Sequence, residues 1–157
     1  MKKYLEITRF KLALCKVRLF KIVLLSLLTT NLMAEQVIET EQYLIHYNAF
    51  NSTAIDADAA TKNQLVRSKF NAMLNIAVLK KNADGTTTPV RSINTGTVEN
   101  LLGQQQSLKF ATIAEGKAIY YIASFRFANE EQMNFNVQVQ PNPNQAAIKL
   151  ALSQKFY

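Results

Sequence analysis

Cysteine is nearly absent from this chain of 157 residues: Cys15 stands alone, and it lies near the N-terminus. From Glu35 onward there is therefore no disulfide, no thiol nucleophile and no cysteine metal ligand. Histidine is as scarce, with His46 alone. A single imidazole without cysteine falls short of the three or four ligands that a zinc site takes, so no metal or other cofactor is expected. The four glycines, Gly85, Gly96, Gly103 and Gly116, stand singly, which excludes a Gly-rich phosphate loop.

Charge is the next near-absence. The formal net charge is +7, but Lys2, Lys3, Arg9, Lys11, Lys16, Arg18 and Lys21 supply it before the first apolar run. Glu6 is the only acid before Glu35. The body keeps eleven basic residues against ten acids. Phosphate binding needs clustered Lys and Arg that displace counterions, so nucleic acid is not an expected partner.

What the N-terminus has is an export pattern. A basic stretch ends at Lys21, the apolar run Ile22–Leu28 follows, and a polar patch leads to Leu32-Met33-Ala34. This order predicts a signal peptide over residues 1–34, cut after Ala34. Leu32 is large for its place before the cut, and an uncleaved membrane anchor is the alternative. The apolar run is short of the ~20 residues that span a bilayer. Cys15 precedes that run, so a lipoprotein is not expected. Residues 35–157 are long enough for one domain without disulfides.

The body repeats with period two. Tyr43, Ile45, Tyr47 and Ala49 form one inward row, and Phe70, Ala72, Leu74, Ile76 and Val78 another. Met133, Phe135, Val137 and Val139 alternate with Asn134, Asn136, Gln138 and Gln140. Ile148, Leu150, Leu152 and Phe156 make the last row. Residues 119–127 are apolar on both faces, as in a central strand. Weaker strands are expected near Thr88–Val98 and Ser107–Ile113. Asn82-Ala83-Asp84-Gly85 is hairpin chemistry. Ser52 to Val66 departs from the pattern and suggests a short helix, capped at Ser52 or Thr53, with Asp58 four residues before Lys62. The expected fold is all-β: an immunoglobulin-like antiparallel sandwich of about seven strands, with one short helix after the first.

Catalytic patterns are thin. Ser52 and Asp56 near His46 make a triad only on paper, without a nucleophile-elbow sequence. By alternation His46 points away from the inward row, which suits an ordinary surface residue. Asp56/Asp58 open the helical stretch and Glu130/Glu131 occupy a turn, so both pairs read as solvated carboxylates. The Asn/Gln-rich strand face could hydrogen-bond sugars or peptide backbone, but a neutral wet face is the favoured reading. The terminal Phe156-Tyr157 suggests an outer-membrane barrel, but the row Lys149, Ala151, Ser153, Lys155 would turn two lysines toward lipid.

Several stretches resemble, in order, the family called domain of unknown function 4426. They are Tyr47–Asn51 after His46, Arg67-Ser68-Lys69, Leu74–Leu79, Asn100–Gln104, Ala118–Ala123 and the final Gln154–Tyr157. The resemblance implies a small exported protein of a Gram-negative bacterium, in the periplasm, with no established activity and no catalytic residue to carry over. The stretch His46 to Thr53 looks like its hallmark. The expected function is a non-enzymatic binding domain of the cell envelope, with an envelope protein or peptide as partner. His46, Asn48, Phe50, Asn51 and Arg67 are the candidate binding residues. The alternative is a small-ligand or hydrolytic domain centred on His46, Asn48, Asn51 and Arg67. A purely structural envelope component is the third reading.

Overall fold

The computed structural model describes residues 36–157, so the expected signal peptide, Cys15 and the expected cut after Ala34 lie outside the described residues. The alternating rows become strands of two antiparallel sheets. Sheet A has six strands: β1 (Gln36–Glu39), β2 (Tyr43–Asn51), β3 (Asn71–Lys81), β4 (Thr87–Pro89), β7 (Phe110–Glu115) and β8 (Ala118–Arg126). They lie in the order β1-β2-β3-β8-β7, with β4 also on β3. Sheet B has four, ordered β10-β9-β5-β6: β5 (Ile93–Asn100), β6 (Gln105–Ser107), β9 (Glu131–Gln140) and β10 (Ile148–Phe156). This is the expected antiparallel sandwich.

The strand number rises from about seven to ten because two expected strands change sheets midway. The Thr88–Val98 stretch splits into β4 in sheet A and β5 in sheet B. Residues 90–92 make the crossing, and the core Tyr121 hydroxyl accepts from the Ser92 amide at 2.7 Å there. The second stretch splits into β6 in sheet B and β7 in sheet A. Its crossing residue Leu108 is buried, and its amide donates to the Gly96 carbonyl at 2.9 Å. Period two is unbroken through both bends, so the sequence pattern does not show them. The third addition, β1, is a four-residue edge strand on β2.

Between the sheets lies one core, drawn from the inward rows of both. Ile45, Leu74, Ile76, Val78, Val137, Val139 and Leu150 are fully sealed. At one end Phe125, Phe135 and Phe156 meet edge to face, with centroids 5.1 to 6.4 Å apart. Such contacts add to burial worth ~1.5–3 kcal/mol for each large apolar side chain. Among the described residues every core residue lies between Tyr43 and Phe156, within the compact unit Glu35–Tyr157.

Phe70 is a correction to the expected inward row. It is 54% exposed, because a turn closed by the Asn71 amide on the Ser68 carbonyl rotates it off the pleat. The Lys69 ammonium lies 5.0 Å from its ring centroid. The helical excursion after β2 is present as a 3-10 turn, Ser52–Ala54, and α1, Ala57–Lys62. Its cap is Asp56 rather than Ser52 or Thr53: one carboxylate oxygen accepts from the Asp58 and Ala59 amides at 3.0 and 3.2 Å. Lys62 pairs with Glu115 at 3.5 Å instead of with Asp58. Among the described residues no helix is long and apolar enough to cross a membrane.

Candidate functional site

Strand alternation sends Leu44, His46, Asn48 and Phe50 of β2 to the outer side of sheet A. Opposite them on β3 stand Leu79, Ala77, Asn75 and Met73. Next comes β8, whose Ser124 and Ile122 face Met73 and Asn75. This outward side is largely apolar. Met73 lies on it, apart from the sandwich core, and is nevertheless fully buried. The excursion supplies cover on this side: Ala60 in α1 is buried, and Lys62 reaches Glu115 on β7.

One part of this face forms a depression. The edge of β3 away from β2 is divided between two strands: β8 pairs along Asn71–Ile76, and β4 along Leu79–Lys81. A fork opens between them. Its floor and walls are Ala77 and Leu79 of β3, Pro89 of β4, and Ala118, Ile119 and Tyr120 of β8, with His46 on the β2 side. The volume is about 230 Å³. The small Ala77 side chain leaves room between His46 and Tyr120. Aliphatic walls with two polar side chains suit an apolar group carrying one or two hydrogen-bonding atoms.

The five sequence-predicted residues do not converge. His46 lines the depression. Asn48 is exposed two residues along β2, where its Oδ1 accepts from Asn75 Nδ2 at 3.2 Å. Phe50 is half-buried opposite Met73. Asn51 donates through Nδ2 to the Tyr157 carbonyl at 3.0 Å, which ties the end of β2 to the C-terminus. Arg67 donates through Nη2 to the Thr53 carbonyl at 3.1 Å and so closes the excursion on itself. Beside it the buried Ser52 hydroxyl donates to the Ser68 carbonyl at 2.9 Å and accepts the Ser68 amide at 2.8 Å. These contacts anchor the loop and assemble no reaction centre.

Tyr120, Leu79 and Pro89 escaped the sequence reading as site residues, although the two-faced apolar pattern of residues 119–127 already showed an unusual outward side. A second hollow, of about 320 Å³, sits at the end of the sandwich where Thr40–Tyr43 meets Pro141, Gln145, Ala146 and Ile148. It is wide open. Among the described residues no cluster of three or more His, Cys, Asp or Glu is arranged to hold a metal.

The sequence from residue 37 to residue 157 matches the model of a protein family, the domain of unknown function DUF4426. The chain belongs to this family. A crystal structure of a DUF4426 family protein from Pseudomonas aeruginosa PAO1 is similar, with a TM-score of 0.68 and 28% identity over 78% of this chain and 94% of that one. FetP from uropathogenic E. coli strain F11, recombinantly expressed in the periplasm of E. coli, shares the fold at 13% identity and a TM-score of 0.51. That match covers 78% of this chain and 92% of FetP. A copper-bound variant of FetP matches with a TM-score of 0.53, again at 13% identity, over 78% of this chain and 95% of that one. No curated protein matches the chain.

Proposed function

We propose that this DUF4426 protein is an exported, non-enzymatic binding domain of the bacterial cell envelope, and that it seats an apolar side chain of a partner protein or peptide on the outer side of sheet A. The observation that carries this reading is the fork between β4 and β8, an apolar hollow with His46 and Tyr120 at its sides. A periplasmic address is supported by the leader pattern in the sequence and by the shared fold with FetP. Copper does not follow from that likeness. His46 is the only imidazole, and there is no cysteine past Cys15. Met73 and Met133 are sealed on different sides of the sheets, one on the outer side of sheet A and one in the core. These residues do not fit a copper site.

Photocrosslinking in the native envelope tests the reading. A crosslinker at position 79 is expected to give one dominant adduct that a crosslinker at position 136, on the outer side of sheet B, does not give. Loss of that adduct in His46→Ala, with the melting temperature kept, supports the hollow as the seat. Equal capture from both positions, or turnover of an envelope substrate abolished by His46→Ala, overturns it.

A further inference from the structure

One end of the sandwich gathers most of its exposed apolar bulk. Val66, Phe70, Leu101, Leu102 and Tyr157 are exposed by 54% to 84%. Of the other large exposed apolar residues described, Val37 and Ile93 lie elsewhere. Topology brings the five together. The excursion with Val66 and Phe70 links the end of β2 to the start of β3. Asn100, ending β5, pairs with Met133 near the start of β9, and Phe156, ending β10, pairs with Glu131. Arg126, ending β8, pairs with Asn71 at the same end.

The most exposed pair is held in place. Asn100 is 7% exposed and fully hydrogen-bonded. Its Oδ1 accepts from the Leu102 and Gln104 amides at 3.1 and 2.9 Å, and its Nδ2 donates to Gln104 Oε1 and Glu131 Oε1 at 2.8 and 2.7 Å. Gly103, at φ +77, closes the turn. Leu101 and Leu102, 76% and 84% exposed, thus stand on a fixed tip with their side chains in water. The two exposed aromatics of this end, Phe70 and Tyr157, each carry a lysine. Lys69 Nζ is 5.0 Å from the Phe70 ring, and Lys155 Nζ is 5.1 Å from Tyr157.

We propose that this end docks on a phospholipid surface, with Leu101 and Leu102 inserted beneath the headgroups. The apolar side chains come from three separate segments, not from one groove. A soft apolar phase accepts separate side chains without matching sockets, whereas a folded partner must provide a socket for each. Aromatic rings with a lysine alongside suit headgroup depth, where ring and alkyl stem are buried and the ammonium stays wet. The charge here is mixed, since Glu130 pairs with Lys155 at 3.1 Å. Insertion rather than ionic attraction therefore holds the end on the surface. This docking uses a different surface from the hollow beside His46 and does not depend on it.

Flotation of residues 35–157 with phosphatidylcholine vesicles, and with vesicles containing phosphatidylglycerol, tests the proposal. The protein is expected to float with both and to lose little of its binding in high salt. Replacing both Leu101→Ser and Leu102→Ser should lower the bound fraction about tenfold, because burying even one leucine is worth at least that factor. The melting temperature should hold, since both side chains are exposed. Asn136→Ser, on the far face, should leave flotation unchanged. Failure of the parent protein to float, or undiminished flotation of the double variant, overturns the proposal. Self-association of the parent, abolished in the double variant and without flotation, overturns it in favour of a second copy as the occupant.

Discussion

The outer sides of the two sheets are built from the same alternation and have opposite characters. Sheet B turns Asn134, Asn136 and Gln138 outward beside Thr95 and Thr97 of β5 and Lys149, Ala151 and Ser153 of β10. Side chains of this face hydrogen-bond one another, as when Gln132 Nε2 donates to Ser153 Oγ at 2.8 Å. Sheet A turns Leu44, Leu79, Tyr120 and Ile122 outward, half-buried, and seals Met73 completely. The difference is that the chain between β2 and β3 leaves an excursion on the side of sheet A. A covered strand face can be apolar; an uncovered one must be polar to stay soluble and unpaired. The hollow beside His46 is apolar surface of this kind that the fork leaves open.

Five measurements break or sharpen this contrast. The largest effect belongs to Met73→Ala. If the outer side of sheet A is a second small core, the substitution costs about 3 kcal/mol in urea unfolding; a cost below about 1 kcal/mol would sink that idea. Ser52→Ala removes the clasp on Ser68 and leaves the half-buried Ser68 amide without its acceptor, while the Ser68 carbonyl keeps the Asn71 amide, at about 1 kcal/mol. Limited proteolysis should then cut within residues 52–70 before anywhere else in the body. Asp56→Ala removes the α1 cap for about 1 kcal/mol, again readable as faster cleavage of the excursion. On sheet B the outward Asn136→Ala should change stability by less than about 0.5 kcal/mol. A larger loss would mean that the amide face is structural and not merely wet.

The smallest effect is a local one with pH. Hydrogen bonds from the Thr86 hydroxyl and amide hold the Asp84 carboxyl below its usual 3.8. The folded value lies below the unfolded one, so the contribution is present above about pH 3.8 and is lost as the pH falls through the lowered folded value. The Thr86 amide resonance should therefore shift in that acid range while those of β9 and β10 do not. A Thr86 titration at or above the ordinary aspartate value would contradict the hydrogen-bond assignment.

Much of the sandwich is legible in the sequence because inward rows repeat every second residue. Tyr43–Ala49, Met133–Val139 and Ile148–Phe156 form strands as their pattern dictates. The hairpin at Asn82–Gly85 follows from a glycine at φ +82. Phe70 misleads because a turn inside an apolar row leaves the period intact while rotating one residue out of it. The crossings at residues 90–92 and at Leu108 hide for the same reason. Of the candidate residues, His46, Asn48 and Phe50 share a face as alternation requires, whereas Asn51 and Arg67 are spoken for by the Tyr157 and Thr53 carbonyls. No local pattern announces a hydrogen bond to a carbonyl at the far end of the chain.

By itself the sequence determined the basic N-terminal stretch, the cysteine-free and nearly neutral remainder, and which face of most strands points inward. Those are properties of composition and of neighbours two residues apart. Only the tertiary structure decided which outward face is sheltered, where the fork opens and which loop tips meet at one end. Those depend on β3 sharing its edge between β4 and β8, and on strands distant in sequence ending together. The hollow beside His46 has its opposite wall at Tyr120, on a strand that only the folded sheet brings near.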